Sequence, residues 1–201
     1  MSDDSLRNDL QYIYNRIGPG CRVLDLGCGD GKLIKRLKEK KGCLVYGVEI
    51  DARQILKAVE NGVNVIQSDV DRGLHAFDDK SFDFVVLSQT IQAMKNTQTI
   101  LKDMMRVADN AFVSFPNFGY WRNRAQLGFG GHMPNSESMP YDWYDTPNIH
   151  WCTLVDFDRL CAKSGIAVRE RTVLTNGKVV SFLPNLLGSL ALYWIGDKQI
   201  A

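Results

Sequence analysis

The sequence predicts an α/β protein, one domain on a doubly wound, mostly parallel sheet of about seven strands with helices on both faces. Three observations lead there. Apolar runs of strand length alternate with amphipathic stretches along most of the chain, the pattern of repeated β-then-α units. A glycine-rich turn, VLDLGCGDGKL at residues 23–33, joins a strand to a helix. And 201 residues with 45% hydrophobic content suffice for one sizeable core and are short for two.

The elements follow in order. Residues 21–26 form the first strand, set off by the turn Gly18-Pro19-Gly20. Residues 30–40 place Leu33, Ile34 and Leu37 on one face, with lysines and Arg36 on the other; this is helical spacing, and Gly42 stops it. A second strand spans 44–50, a second helix 52–61 with Gly62 as its C-terminal cap, and a short third strand 63–67. Beyond the polar turn Asp78-Asp79-Lys80, residues 82–87 make an almost continuously apolar fourth strand. Residues 91–107 are mostly helical, and a fifth strand at 111–115 ends on Pro116. Right-handed crossovers wind these units into one sheet.

From 116 to 151 the periodicity stops. This insert holds four of the six prolines and eight of the twenty aromatic residues, so it reads as functional and not as disordered. Helical spacing returns at 153–163, where Leu154, Phe157, Leu160 and Cys161 share a face. A strand follows near 166–174, and residues 190–195 pair back as a terminal strand.

Composition narrows the function. With 24 Lys plus Arg against 23 Asp plus Glu, no whole-molecule field attracts nucleic acid or an anionic membrane. The first 18 residues mix both charge signs and lack the apolar core of a secretory signal, and no apolar run approaches the roughly 18 residues of a membrane span. The expectation is a cytoplasmic protein without nucleic-acid or membrane partners. Five cysteines without a CxxC pair point to reduced, buried thiols and to no metal site.

The turn carries the chemistry. Its glycines fall at 27, 29 and 31, and Lys32 stands where a dinucleotide fingerprint needs its third glycine. Asp25 and Asp30 beside the loop repel a pyrophosphate but suit a cationic ligand. Further acidic or polar residues close the next strands: Glu49, which can accept from both ribose hydroxyls, then Asp69, then Ser88. Singly, each has a structural alternative: Asp25 tying down the turn, Asp69 capping a short turn, Ser88 as a loop residue. Four such sites at successive strand ends, where open α/β sheets bind ligands, argue jointly for a binding cleft.

Asp25-Leu26-Gly27-Cys28-Gly29-Asp30-Gly31 resembles motif I of class I S-adenosylmethionine-dependent methyltransferases. That resemblance implies a Rossmann-like methyltransferase fold and S-adenosylmethionine or S-adenosylhomocysteine as cofactor. It implies binding by Asp25, Gly27, Cys28, Gly29, Glu49 and Ile50. Asp69 would meet the adenine amino group, the Val70 backbone a ring nitrogen, and Ser88 the methionine moiety. The stretches SFPNFGYWRNRAQL, MPYDWYDTPNIHWCT and TNGKVVSFLPNLLGSLALYWI extend the likeness, and the chain closely resembles the methionine biosynthesis protein MetW family. This implies a link to methionine synthesis and association with homoserine O-acetyltransferase.

No catalytic residue is assigned. Gln89 and Gln92 orient a substrate but take no proton at neutral pH. The candidate bases lie in the insert: His132, His150, Tyr120, Tyr141, Asp142 and Glu137. His150 suits packing beside Trp151, Asp142 and Asp145 suit turns, and His75 suits a surface loop. Tyr120, Trp121, Arg122, Arg124, Tyr141, Trp143 and Tyr144 are the candidates for contact with a partner or a substrate, since aromatic and arginine residues dominate interface cores. The sequence thus supports two functions, an S-adenosylmethionine-binding accessory protein and a methyltransferase acting on a small acceptor.

Overall fold

The computed structural model describes residues 5–197; four residues at each end, counted in the domain above, lie outside the described residues. Helix α1 (Asn8–Arg16) comes first. Leu6, Leu10, Ile13 and Ile17 recur at spacings of four and three, so they share one face that packs into the core. Lys41 Nζ donates to the carbonyls of Tyr14 and Ile17, placing a cation at the C-terminal end of α1.

The β-then-α units follow: β1 (Arg22–Leu26), α2 (Lys32–Lys41), β2 (Leu44–Glu49), α3 (Ala52–Glu60), β3 (Val65–Gln67), β4 (Phe82–Ser88), α4 (Thr97–Val107) and β5 (Ala108–Pro116). Beyond them lie α5 (Trp121–Gly128), α6 (Leu154–Ser164), β6 (Ile166–Thr175), β7 (Lys178–Val179), α7 (Pro184–Leu187) and β8 (Leu190–Asp197). Among the described residues they make one eight-stranded sheet in the order β3-β2-β1-β4-β5-β8-β6-β7. Pairs among β1 to β5 are parallel. β8 runs antiparallel between β5 and β6. The eighth strand is the two-residue β7, returned onto β6 by Asn176-Gly177 at φ 50° and 74°, the left-handed pair that a tight hairpin needs.

Burial on both faces makes the central strands apolar throughout. Val23 to Leu26 of β1 are all buried, and alternate side chains enter opposite layers. Leu24 and Leu26 join Leu101, Met104 and Phe157 from α4 and α6, whereas Val23 joins Ile13, Leu33, Leu37 and Ala58 from α1, α2 and α3. Phe115, Phe157 and Tyr193 form the tightest ring cluster, with centroids 4.5 to 5.7 Å apart. Burying each such ring contributes about 1.5–3 kcal/mol.

The segment 91–107 is mostly helical, as expected, but in two pieces: a single 3-10 turn, Ile91–Ala93, and an extended Met94 precede α4. The Gln92 carbonyl accepts from Ile149 N and His150 N, and Asp71 accepts from Lys95 N and Asn96 N, so the groups a continuous helix would pair internally are engaged elsewhere. One expectation is corrected: the insert, read as a long loop without periodicity, contains α5. WRNRAQLG carries no apolar stripe, which hid the helix; buried Asn117 and Asn123 hold it instead. Asn117 Nδ2 donates to Asn185 O and Gly188 O, and Asn123 Nδ2 donates to Asn117 O.

Gly31 opens α2 at φ 73°, and a Cβ there would lie 2.6 Å from Val63 Cγ2. Left-handed strain and overpacking together set the expected cost of Gly31→Ala at roughly 2–4 kcal/mol, read as a lower urea midpoint. An unchanged midpoint would contradict this packing.

Candidate functional site

The C-terminal ends of β1, β2, β3 and β4 open into two adjoining cavities of about 460 and 600 Å³. Their walls bring together all nine residues expected to hold a cofactor. Asp25, Cys28, Gly29 and Ser88 line the larger cavity, Ile50, Asp69 and Val70 the smaller, and Gly27 and Glu49 both.

Asp25, one residue before the end of β1, is 3% exposed. Burial is the largest influence on its carboxyl, Glu49 and Asp9 add to it, and Arg7 opposes; together they push the group up to about 7. Burial and the neighbouring Asp25 and Glu49 also hold the Cys28 thiol neutral by raising it strongly. Glu49 is gripped by backbone donors: Oε2 accepts from Gly29 N at 2.9 Å, and Oε1 from Ile50 N and Asp51 N at 2.8 and 2.9 Å. A carboxylate offers about four acceptor positions, so roughly one stays open, on Oε2. Asp69 accepts from Asp71 N at 3.0 Å and so caps a 3-10 turn, the structural alternative weighed above, while still lining the cleft.

Ser88 is not a bare loop residue. It is buried at the end of β4, donates to Asp9 Oδ2 at 2.7 Å and accepts from Arg7 Nη2 at 2.9 Å. Ser114 Oγ and Gln89 Nε2 donate to the same Asp9 oxygen, at 3.0 and 3.1 Å. Burial raises the Asp9 carboxyl, but Arg7 and the donors Ser88, Gln89 and Ser114 outweigh it, and the net shift is downward. Gln89 sits at φ 49°, a strained position for a residue with a side chain, directly at the cleft. Arg7, Asp9 and α1 were missed by the sequence reading; the spacing of Leu6, Leu10, Ile13 and Ile17 was the available signal.

The insert candidates separate. Tyr141 lines both cavities and Glu137 the smaller one. Tyr120 is buried and, with Arg122, lines a third cavity. Arg124 Nε donates to Gly119 O at 2.6 Å, within the α5 entry turn. Trp121, Trp143 and Tyr144 are exposed, the last two at 73% and 71%, and line none of these cavities. His132 and His150 contact the carbonyls of Met133 and Lys95 away from the cleft, and Asp142 accepts from the Tyr144 hydroxyl. His75 is an exposed loop residue. Among the candidate bases, only Tyr141 and Glu137 lie at the cleft.

The residues fit the expected cofactor. Six carboxylates, Asp25, Asp30, Glu49, Asp51, Asp69 and Glu137, face two cations, Arg7 and Lys32, so the cleft favours a ligand of net positive charge. At Gly29, φ 56°, an added Cβ would meet nothing within 4 Å, which leaves the backbone open to a close-lying ligand.

A mostly parallel sheet in this order, with β8 antiparallel beside β5 and an acid-rimmed cleft over its strand ends, defines a Rossmann-like protein of the class I methyltransferase type. Solved structures share the fold. An S-adenosylmethionine-dependent methyltransferase of Mesorhizobium loti superposes with a TM-score of 0.70 at 18% identity, covering 94% of this chain and 95% of that one. Another, from Thermotoga maritima, gives 0.68 at 21% identity, covering 95% and 88%. The family model of methionine biosynthesis protein MetW matches residues 7–195, and the chain belongs to that family. A bifunctional methionine biosynthesis protein MetXA/MetW of Rhodopirellula baltica is 34% identical over 178 residues, 84% of this chain and 29% of the relative. The chain spans less than a third of the length of the curated relatives it matches. Among the described residues, no helix is long and apolar enough to cross a membrane.

Proposed function

We propose that this protein binds S-adenosylmethionine or S-adenosylhomocysteine and acts in the cytoplasm as an accessory partner of homoserine O-acetyltransferase in methionine biosynthesis. The observation that carries the reading is the relative that joins MetXA and MetW in one bifunctional chain. Covalent joining holds two modules at high effective concentration, which rewards modules that act on one another. The acetyltransferase is the partner that the family resemblance implies.

In the cleft, Asp25 takes the ligand ammonium, the open Glu49 oxygen a ribose hydroxyl, Asp69 the adenine amino group and Val70 N a ring nitrogen; Ser88 borders the methionine moiety. Gly27, Cys28, Gly29 and Ile50 shape the walls. When bound, S-adenosylmethionine supplies an electrophilic methyl group. Tyr141, itself part of the insert, lines both cavities of the cleft, so ligand binding has a direct route to order the insert and change affinity for the partner.

The test mixes the purified protein with the acetyltransferase of the same source, with and without S-adenosylmethionine, and measures association and acetyl transfer. A complex is expected, and Trp121→Ala or Tyr144→Ala is expected to weaken it about 30-fold, as for a central aromatic anchor. No association together with no change of rate would end the partner reading. Equal affinity with and without saturating ligand would end the coupling. Tyr141 and Glu137 at the cleft favour a second reading, methyl transfer to a small acceptor. It predicts labelled methyl transfer to a metabolite that Glu49→Ala abolishes.

A further inference from the structure

The third cavity, about 290 Å³, adjoins the cleft, with Arg7, Gln89, Glu137 and Ser138 on the shared border. Its size lies at the small end of ligand cavities, about 300–1,000 Å³. No residue expected to hold the cofactor lines it.

Its lining carries charges of both signs. Arg122 and Glu137 both line it, both are exposed, and neither side chain has a hydrogen bond or ion pair among the described residues. The Arg122 guanidinium rests over the Trp121 ring at 5.5 Å, a contact that leaves its donors open. Asp9 also lines the cavity at 1% exposure. Every one of its bonds falls on Oδ2, and the buried Oδ1 has no partner among the described residues. A buried carboxylate oxygen without a donor is costly and needs an explanation.

A simple anion here would face Asp9 and Glu137, and a simple cation would face Arg7 and Arg122. A small molecule carrying an ammonium and a carboxylate satisfies both pairs at once. We propose that this cavity binds a free, short-chain α-amino acid, with Asp9 and Glu137 receiving its ammonium and Arg122, with Arg7, its carboxylate. The inference goes beyond the cofactor reading and does not depend on it.

Isothermal titration of the full chain with each of the twenty free amino acids, with and without saturating S-adenosylhomocysteine, tests the site. At least one short polar amino acid is expected to bind in both conditions. Ethanolamine, which lacks the carboxylate, and N-acetylserine, which lacks the ammonium, are expected not to bind. Arg122→Gln and Glu137→Gln are each expected to weaken amino-acid binding tenfold or more, the loss of a charge-assisted hydrogen bond. Arg122 is exposed at the start of α5 and lines neither part of the cofactor cleft, so Arg122→Gln is expected to keep the thermal midpoint and the affinity for S-adenosylhomocysteine. Three results would overturn the proposal: no amino acid binding at millimolar concentration, binding that persists unchanged in Arg122→Gln, or binding displaced by S-adenosylhomocysteine, which would place the amino acid in the cofactor cleft. If S-adenosylhomocysteine itself fails to bind, the cofactor reading falls and the Arg122→Gln comparison still decides this one.

Discussion

Asp25→Asn is expected to weaken S-adenosylmethionine binding at pH 8 by at least tenfold, remove its pH dependence and raise the stability of the ligand-free protein. The carboxyl is buried and pushed up to about 7, chiefly by burial. A cationic ligand favours the ionised form, so wild-type affinity follows the ionised fraction and rises about tenfold between pH 6 and pH 8. Stability runs the other way. The folded value lies above the ordinary 3.8, so between the two the native state holds the extra proton, and stability present at low pH is lost as pH rises through about 7. The whole shift corresponds to an upper bound on the order of 4 kcal/mol. Asparagine never ionises and escapes that loss. Titration calorimetry from pH 6 to 8, paired with thermal melts at both ends, reads both effects. A variant that binds with the wild-type profile would show that Asp25 does not meet the ligand.

Asp9→Ala is expected to cost about 3 kcal/mol, because hydrogen bonds to a buried charge contribute about 1.5–3 kcal/mol each and only part of that is recovered by relaxation. One oxygen gathers Arg7, Ser88, Gln89 and Ser114, tying α1 to the ends of β4 and β5. Removing it releases α1, which supplies Leu10 and, just before it, Leu6 and Arg7 to the cleft wall. Urea unfolding measures the loss, and limited proteolysis near residue 17 reads the detachment. Since the net shift of Asp9 is downward, its contribution is present above the ordinary value of 3.8 and lost as pH falls through the lower folded value. An unchanged urea midpoint would mean that α1 is held by its apolar face alone.

Local signals in the sequence reached far. The glycine turn, the caps at Gly42 and Gly62 and the apolar strands were legible because spacing and backbone conformation act within a few residues. Even the cleft residues were legible, since a parallel β-then-α order forces its strand ends to one edge. The helix in the insert was not, because buried asparagines hold it and no apolar stripe marks it. The β6–β7 hairpin had its signal in Asn176-Gly177, which lies inside a stretch used only for family likeness.

By itself, then, the sequence determined the α/β class, the β-then-α order, the acidic glycine-rich loop and the family, all properties of local spacing or of motif. The tertiary structure alone decided that β8 enters between β5 and β6, that Asp9 meets Ser88 and Ser114 across 79 and 105 residues, and that Arg122 and Glu137 border one cavity with no ion-pair partner among the described residues. The reason is physical: neighbours along the chain are set by bonded geometry, whereas partners so distant are chosen by whichever packing buries the apolar faces together and leaves the buried polar groups paired.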